Sequence, residues 1–105
     1  MPLQDLCVLV MIADAADASE LVRYVERAGG DVVAAANPFE ALQRLRQFVF
    51  HAAVVDCSGG AETVVAELCA RSIPFCICKS GSGWKAPHTV PIHEVTAALA
   101  AKIAR

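Results

Sequence analysis

Aspartate carboxylates are the side chains of this chain whose positions could support metal or anion chemistry. Asp14 closely follows the first apolar run, and Asp56 directly follows the later run Ala52–Val55. Open α/β sheets bind their ligands at the carboxyl ends of strands, which is where both aspartates would lie. Simpler interpretations compete, because Asp17 fits a helix N-cap better than a metal ligand and Asp56 can be a cap or loop residue.

The five cysteines lack the spacing of a metal site. Zinc sites are typically built from paired CxxC or CxxH knuckles, and the sequence contains none. Cys76 and Cys78 alternate as in a strand, which places both thiols on one face of an apolar run. We therefore predict that the cysteines are small core residues and that they bind no metal. They are Cys7, Cys57, Cys69, Cys76 and Cys78.

The histidines and one glycine-rich segment also fall short of a recognisable site. His51, His88 and His93 have no partners at metal-ligand spacing, so solvated or capping roles are predicted. The segment Gly81–Lys85 lacks the spacing of a phosphate loop and does not lead into a helix, so we predict an ordinary loop. Trp84 within it either fills a gap in the fold or projects as an interface anchor.

Composition and charge are those of an ordinary globular protein. The chain has 105 residues, 56% of them hydrophobic, and a mean hydropathy of +0.49, which predicts a single domain over residues 1–105 with one core. No apolar run reaches the roughly 18 residues of a membrane-spanning helix and the start lacks a basic signal region, so a cytoplasmic location is expected. The net charge of −2 includes no basic block, which argues against nucleic-acid binding.

Apolar runs alternate with helix-like patterns along the chain. Strands are predicted at Leu6–Ile12, Asp31–Ala35, Ala52–Val55, Pro74–Cys78 and about His88–Pro91. Four helices are predicted, from Asp17 to near Gly29, from Asn37 to near Phe48, from Ala61 to near Arg71 and from about His93 to near Ala104. Phe48 and Cys69 are predicted to lie on the buried faces of the second and third helices. This order predicts an α/β fold, a three-layer, doubly wound, parallel five-stranded sheet with right-handed crossovers.

The connection between the fourth and fifth strands breaks this alternation. Only Ser80–Pro87 lie there, too short and too rich in glycine for a crossover, which needs about a dozen or more residues. The fourth helix is therefore predicted to be shortened or missing. Its loss would expose apolar surface, so we expect a protein partner or a second copy to cover it, with Trp84, Val90 and Pro91 as candidate contacts.

The order and motifs of these elements resemble a bacterial two-component response-regulator receiver domain, from about Leu6 to Ile103. The segments that carry the resemblance are Val8-Leu-Val10, Ala28-Gly-Gly-Asp-Val-Val-Ala-Ala35, Asn37-Pro-Phe-Glu-Ala-Leu42, Val54-Val-Asp56, Ser72-Ile-Pro-Phe75 and Val90-Pro-Ile92. The resemblance implies a flavodoxin- or receiver-like sheet and a signalling role in a bacterium. It does not imply an enzyme.

The resemblance also assigns roles at the strand ends. The family holds a magnesium ion with two adjacent acidic residues after the first strand and carries an acceptor aspartate after the third. Asp56 stands at the acceptor position, but Ile12 and Ala13 stand at the acidic pair, and neither has the oxygen ligands that magnesium requires. Asp14 lies one residue beyond and would supply a single carboxylate if the loop bulged.

Two further family positions are altered. The family places a Thr or Ser after the fourth strand and a Lys before a Pro after the fifth. Here Lys79 stands at the first position, with Ser80 next to it, and Val90 replaces the Lys before Pro91. The Lys79 ammonium could pair with Asp56 and hold the site neutral, which predicts a fixed conformation instead of a switch.

These departures imply a degenerate receiver, or pseudo-receiver. We expect it to act by protein–protein interaction, without normal magnesium-dependent phosphorylation and without a cofactor. The expected partner is a histidine kinase, a phosphotransferase or another signalling protein, with a homodimer as a further option. The alternative is a functional receiver phosphorylated on Asp56, in which Asp14 and water hold a weakened magnesium. A small flavodoxin-like enzyme or nucleotide binder is disfavoured, because no phosphate-cradling glycine loop follows the first strand.

Overall fold

A parallel sheet carries helices on both faces in the computed structural model, which describes residues 3–56, 60–78, 89–90 and 94–103. The strands are β1 (Cys7–Met11), β2 (Asp31–Ala35), β3 (Ala52–Val55), β4 (Phe75–Cys78) and β5 (Thr89–Val90). The helices are α1 (Ala15–Arg27), α2 (Pro38–Gln47), α3 (Ala61–Ala70) and α4 (Val95–Ile103).

The strands lie in the order β2-β1-β3-β4-β5, and all neighbours are parallel. Val10 in β1 pairs with Ala34 on one side and with Val54 on the other. Because every strand runs in the same direction, the carboxyl ends of β1, β3 and β4 meet at one edge. The predicted parallel α/β sheet is confirmed, although β5 contributes only two residues to it.

Two apolar layers account for the continuous hydrophobic runs of the strands. Val8 and Val10 point to the face covered by α1 and α4, whereas Leu9 and Met11 point to the face covered by α2 and α3. All four side chains are fully buried. Burying a side chain of this size stabilises the fold by about 1.5–3 kcal/mol, so a strand packed on both faces needs apolar residues at every position.

Helix α1 begins earlier than the sequence pattern predicts. Its N-cap is Asp14, whose Oδ1 accepts a hydrogen bond of 2.9 Å from the backbone N–H of Asp17. The prediction that Asp17 is the cap is therefore wrong, since Asp17 lies inside the first turn. The helix ends as expected before Gly29, which has a φ of 91°, a left-handed conformation that glycine adopts without steric cost.

Helix α2 begins as predicted. The Asn37 side chain accepts a hydrogen bond of 2.9 Å from the Glu40 N–H, and Pro38 occupies the first turn, a position where its missing N–H costs nothing. Two predictions about buried faces are wrong. Phe48 is 47% exposed because α2 ends at Gln47, and Cys69 is exposed on α3. The predicted loss of the helix between β4 and β5 concerns residues 79–88, which lie outside the described residues.

Candidate functional site

Asp56 follows β3 at the carboxyl edge of the sheet, as the sequence predicts. Its backbone N–H donates a hydrogen bond of 3.0 Å to the Met11 carbonyl, which continues the pairing of β3 with β1. The residue therefore stands in the middle of the edge where open parallel sheets bind ligands. Position alone makes it the central candidate of the site.

The Asp56 side chain is enclosed and engaged. The residue is only 2% exposed, and its Oδ2 accepts a hydrogen bond of 2.7 Å from the backbone N–H of Ala13. A buried carboxylate is costly unless donors compensate for its lost hydration, and this short bond is one such compensation. The interaction joins the ends of β1 and β3, so Asp56 has a structural role whatever chemistry it performs.

The residues at the family's acidic-pair positions have no side-chain oxygen that could bind a metal. Ile12 is 2% exposed and packs in the core layer beneath α1 and α4. Ala13 is exposed and contributes its backbone N–H to Asp56. A hydrogen-bond donor thus faces Asp56 from the loop in which the family places its acidic pair. This donor could not be predicted from the sequence, because every residue type except proline carries a backbone N–H.

Asp14 is committed to the start of α1. Its carboxylate is exposed and caps the helix through Asp17. Asp14 stands three residues before Asp17, and Asp17 stands three residues before Glu20. The spacing of a capping box therefore fits both aspartates and does not decide between them. In the described parts of the chain, no group of three or more His, Cys, Asp or Glu side chains is arranged to hold a metal ion.

The rim beside Asp56 includes the first turns of α2 and α3. Gly60 precedes α3 with a φ of 89°, and a Cβ at this position would lie 3.2 Å from Cγ of Pro38. The left-handed backbone conformation favours glycine at this position, and the close approach of Pro38 leaves little room for a side chain. Phe39, on the first turn of α2, is 70% exposed, an apolar rim residue that the sequence interpretation did not single out.

Several predicted site residues fall outside the described residues. They are Lys79, Ser80, Trp84 and Pro91, and with them His88, His93 and Cys57. Val90 lies in β5, where its backbone pairs with Cys78 in β4. The predicted ion pair between Asp56 and Lys79, and the predicted interface at Trp84, Val90 and Pro91, therefore stay predictions.

His51 and two buried cysteines contribute to the fold. Nδ1 of His51 accepts a hydrogen bond of 2.9 Å from the Cys7 N–H. Cys76 and Cys78 are buried in the core layer beneath α1 and α4, as predicted. Burial raises the pKa of the Cys76 thiol above 9.0, although Lys102 nearby acts in the opposite direction. Burial, and secondarily the negative charge of Asp31, also raises the pKa of Cys7.

Comparison with known proteins locates the fold but not the activity. No family model and no curated protein matches the chain. A solved response-regulator receiver protein from Pseudomonas putida superimposes with a TM-score of 0.63 and 16% identity, over 93% of this chain and 78% of that one. A fusion protein with a yeast trimeric coiled-coil segment gives a TM-score of 0.72 and 16% identity, over 99% of this chain and 79% of that one.

The chain has a receiver-like α/β fold. This confirms the resemblance inferred from the sequence at the level of fold, since identities of this size carry no information about activity. In the part of the chain that the structure describes, no helix is both long and apolar enough to cross a bilayer.

Proposed function

We propose that this chain is a signalling domain that acts through protein contacts and does not undergo normal magnesium-dependent phosphorylation. The receiver-like fold supports a role in signal transduction. The state of Asp56 carries the rest of the proposal, because the carboxylate is 2% exposed and accepts a hydrogen bond from the Ala13 backbone.

Electrostatics is the first reason. Transfer of a phosphoryl group to a carboxylate brings together groups that are all negatively charged, so catalysis rests on cations that neutralise them. Magnesium requires oxygen ligands, yet Ile12 is in the core and Ala13 has no polar side chain. Asp14 supplies at most one carboxylate in place of the family's two, and its Oδ1 already accepts the hydrogen bond that caps α1.

Access is the second reason. A phosphodonor must reach a lone pair of the acceptor carboxylate in line with the bond that breaks. Enclosure of Asp56 and the 2.7 Å hydrogen bond at Oδ2 both oppose such an approach. Movement of the Ala13 loop would free Oδ2, but it would break the Ala13–Asp56 hydrogen bond, one of the contacts between the ends of β1 and β3.

Incubation with acetyl phosphate and magnesium, followed by intact mass measurement, tests this proposal. We expect no phosphoryl adduct on the wild-type chain under conditions that label an ordinary receiver in the same tube. Asp56→Asn is the matched control, because it removes the acceptor and retains one side-chain oxygen. An adduct on the wild type that Asp56→Asn abolishes would establish the alternative, a working phospho-acceptor.

A magnesium titration supplies an independent test. Trp84 is the sole tryptophan, so its fluorescence gives a signal from a single site. Backbone NMR shifts at Ala13, Asp14 and Asp56 report on the carboxyl edge of the sheet. We expect both signals to stay flat at millimolar magnesium. Saturable changes at these residues would favour the alternative function.

The alternative retains one specific observation in its favour, namely that Asp56 ends a central strand at the ligand-binding edge. Under either function we propose a protein partner, which can be a second copy that contacts the region of Trp84, Val90 and Pro91. Analytical ultracentrifugation tests self-association directly. A single monomeric species at high concentration would rule out the homodimer while leaving a different partner in place.

A further inference from the structure

A groove opens at the opposite edge of the sheet from Asp56, where the strands begin. Its volume is about 640 Å³, within the range of about 300–1,000 Å³ that is usual for ligand sites. The segments that line it lead into β1, β3 and β4 or end α3 and α4. The lining residues include Leu6, Phe50, Arg71, Ile73, Pro74 and Lys102.

The lining combines an apolar surface with positive charge. Among the described lining residues, the apolar part comes from Leu6, Phe50, Ile73, Pro74 and Ile103. Two of the described lining residues, Arg71 and Lys102, are cations, and none of them is acidic. The described lining residues therefore carry positive charge, although the chain as a whole has a net charge of −2.

The two cations are not equally available. Arg71 is already engaged, since its Nε lies 2.8 Å from Oε2 of Glu67 and its Nη1 donates a 2.7 Å hydrogen bond to the Leu45 carbonyl. Lys102 is exposed, and among the described residues it forms no ion pair. Lys102 is therefore the cation that can receive a carboxylate from outside.

Two exposed apolar residues, Phe48 and Val49, directly precede Phe50 of the groove wall in the sequence. Val49 is 82% exposed and Phe48 is 47% exposed. The Phe48 ring lies 6.1 Å, centroid to centroid, from the ring of Phe50 in the groove wall. Adjoining exposed apolar residues that lead into a concave, positively charged site are typical of an interaction surface.

The groove wall is preformed by the end of α3. Ser72 has a φ of 57°, and the N–H groups of Ser72 and Ile73 donate to the carbonyls of Cys69 and Leu68. This is the Schellman arrangement, which satisfies the last carbonyls of a helix. Because the backbone groups of this wall are already hydrogen-bonded, little backbone ordering is needed when a partner binds. This lowers the entropic cost of association.

From these features we propose that the groove binds an extended segment of a partner protein in which an apolar side chain stands next to a carboxylate. The apolar side chain would pack against Phe50, Ile73 and Pro74, and the carboxylate would pair with Lys102. The inference rests on the proposed function, since it names the surface and the chemistry of a protein contact. The groove lies at the edge opposite Asp56, so the proposed function and the groove proposal can fail separately.

Selection from a phage library of random 12-residue peptides on the immobilised full chain tests the proposal without a known partner. Enriched peptides are expected to pair Asp or Glu with Leu, Ile or Phe. In fluorescence anisotropy, Lys102→Glu should weaken their binding by about tenfold or more, because it places like charges opposite each other. Val49→Ser should also weaken binding, and it leaves the fold intact because Val49 is exposed.

Arg23→Glu on α1 is the matched control, since it makes the same charge change at an exposed site on another surface. We expect it to change affinity by no more than about twofold. Absence of enrichment, or peptides whose affinity neither Lys102→Glu nor Val49→Ser reduces, would overturn the proposal. So would a dimer in ultracentrifugation that Val49→Ser dissociates, because the groove would then be covered by a second copy.

The same peptides separate this inference from the proposed function. If acetyl phosphate labels Asp56 and the peptides still bind at Lys102, the proposed function is wrong and the groove stands. If Asp56 stays unlabelled and the peptides ignore Lys102, the groove is wrong and the proposed function stands.

Discussion

Replacement of Asp56 by alanine should lower the stability of the fold, and the sign of this effect discriminates between two kinds of site. Where several carboxylates cluster to hold a metal, their mutual repulsion is relieved when one is removed. Here the neighbouring loop supplies Ile12 and Ala13 instead, and the carboxylate accepts a 2.7 Å hydrogen bond from Ala13. Asp56→Ala therefore removes the acceptor of this hydrogen bond. It relieves no repulsion between carboxylates, because Ile12 and Ala13 stand where the family has its acidic pair.

The magnitude follows from the environment of the bond. Loss of the partner of a buried donor costs about 1–3 kcal/mol. Ala13 is exposed, so water can partly replace the lost acceptor, and we expect the lower part of this range, about 1–2 kcal/mol. For a domain of this size, such a loss lowers the Tm by about 4–16 °C.

Thermal and urea unfolding, followed by circular dichroism without magnesium, measure this effect. Asp56→Asn should lose less stability than Asp56→Ala, because the amide oxygen of Asn can still accept the hydrogen bond from the Ala13 N–H. Asp31→Ala is the surface control, since Asp31 is exposed at the start of β2, and it should change stability by less than about 0.5 kcal/mol. An Asp56→Ala variant as stable as the wild type, or more stable, would refute the structural role of this carboxylate.

Three other outcomes are expected. Asp14→Ala should lower the free energy of unfolding in urea by about 1 kcal/mol because it removes the α1 cap, whereas Asp14→Ser should retain most of the stability. An unchanged free energy of unfolding in Asp14→Ala would show that Asp14 is not a functional cap. Ala13→Asp should add a carboxylate next to Asp56, so magnesium should raise the Tm of this variant but not the Tm of the control Ala16→Asp. An equal change in Tm in both variants would show that the new carboxylate lies away from Asp56. Because the folded-state pKa values of Cys7 and Cys76 are raised above 9.0, the unfolded thiols ionise first, and the free energy of unfolding should fall as pH rises past 9.0. In a Cys7→Ala/Cys76→Ala variant, the free energy of unfolding should fall less steeply between about pH 8 and about pH 10. A fall as steep as in the wild type would show that the thiols do not cause it.

The strands could be predicted from the sequence because a strand buried on both faces permits only apolar residues. Asp31–Ala35 and Ala52–Val55 have the predicted bounds. Helix ends were harder to predict. Asp14 and Asp17 both suit an N-cap, and only the backbone conformation decides between them. Phe48 continues the apolar period of α2, but the helix ends one residue earlier.

The candidate site could be predicted only in part. Asp56 was identified because a carboxylate that ends a buried run is conspicuous in a sequence. Its donor, the Ala13 N–H, leaves no trace in the side-chain pattern. The groove at the other edge was also missed, since Leu6, Ile73 and Lys102 come from distant segments that only the fold brings together.

The most direct test of the central claim is a crystal structure of the chain grown with magnesium and beryllium fluoride, which mimics a phosphorylated aspartate. We predict that neither binds and that the Asp56 carboxylate still accepts the Ala13 N–H. A structure with magnesium and beryllium fluoride both bound at Asp56, and the Ala13 loop displaced, would contradict the proposed function.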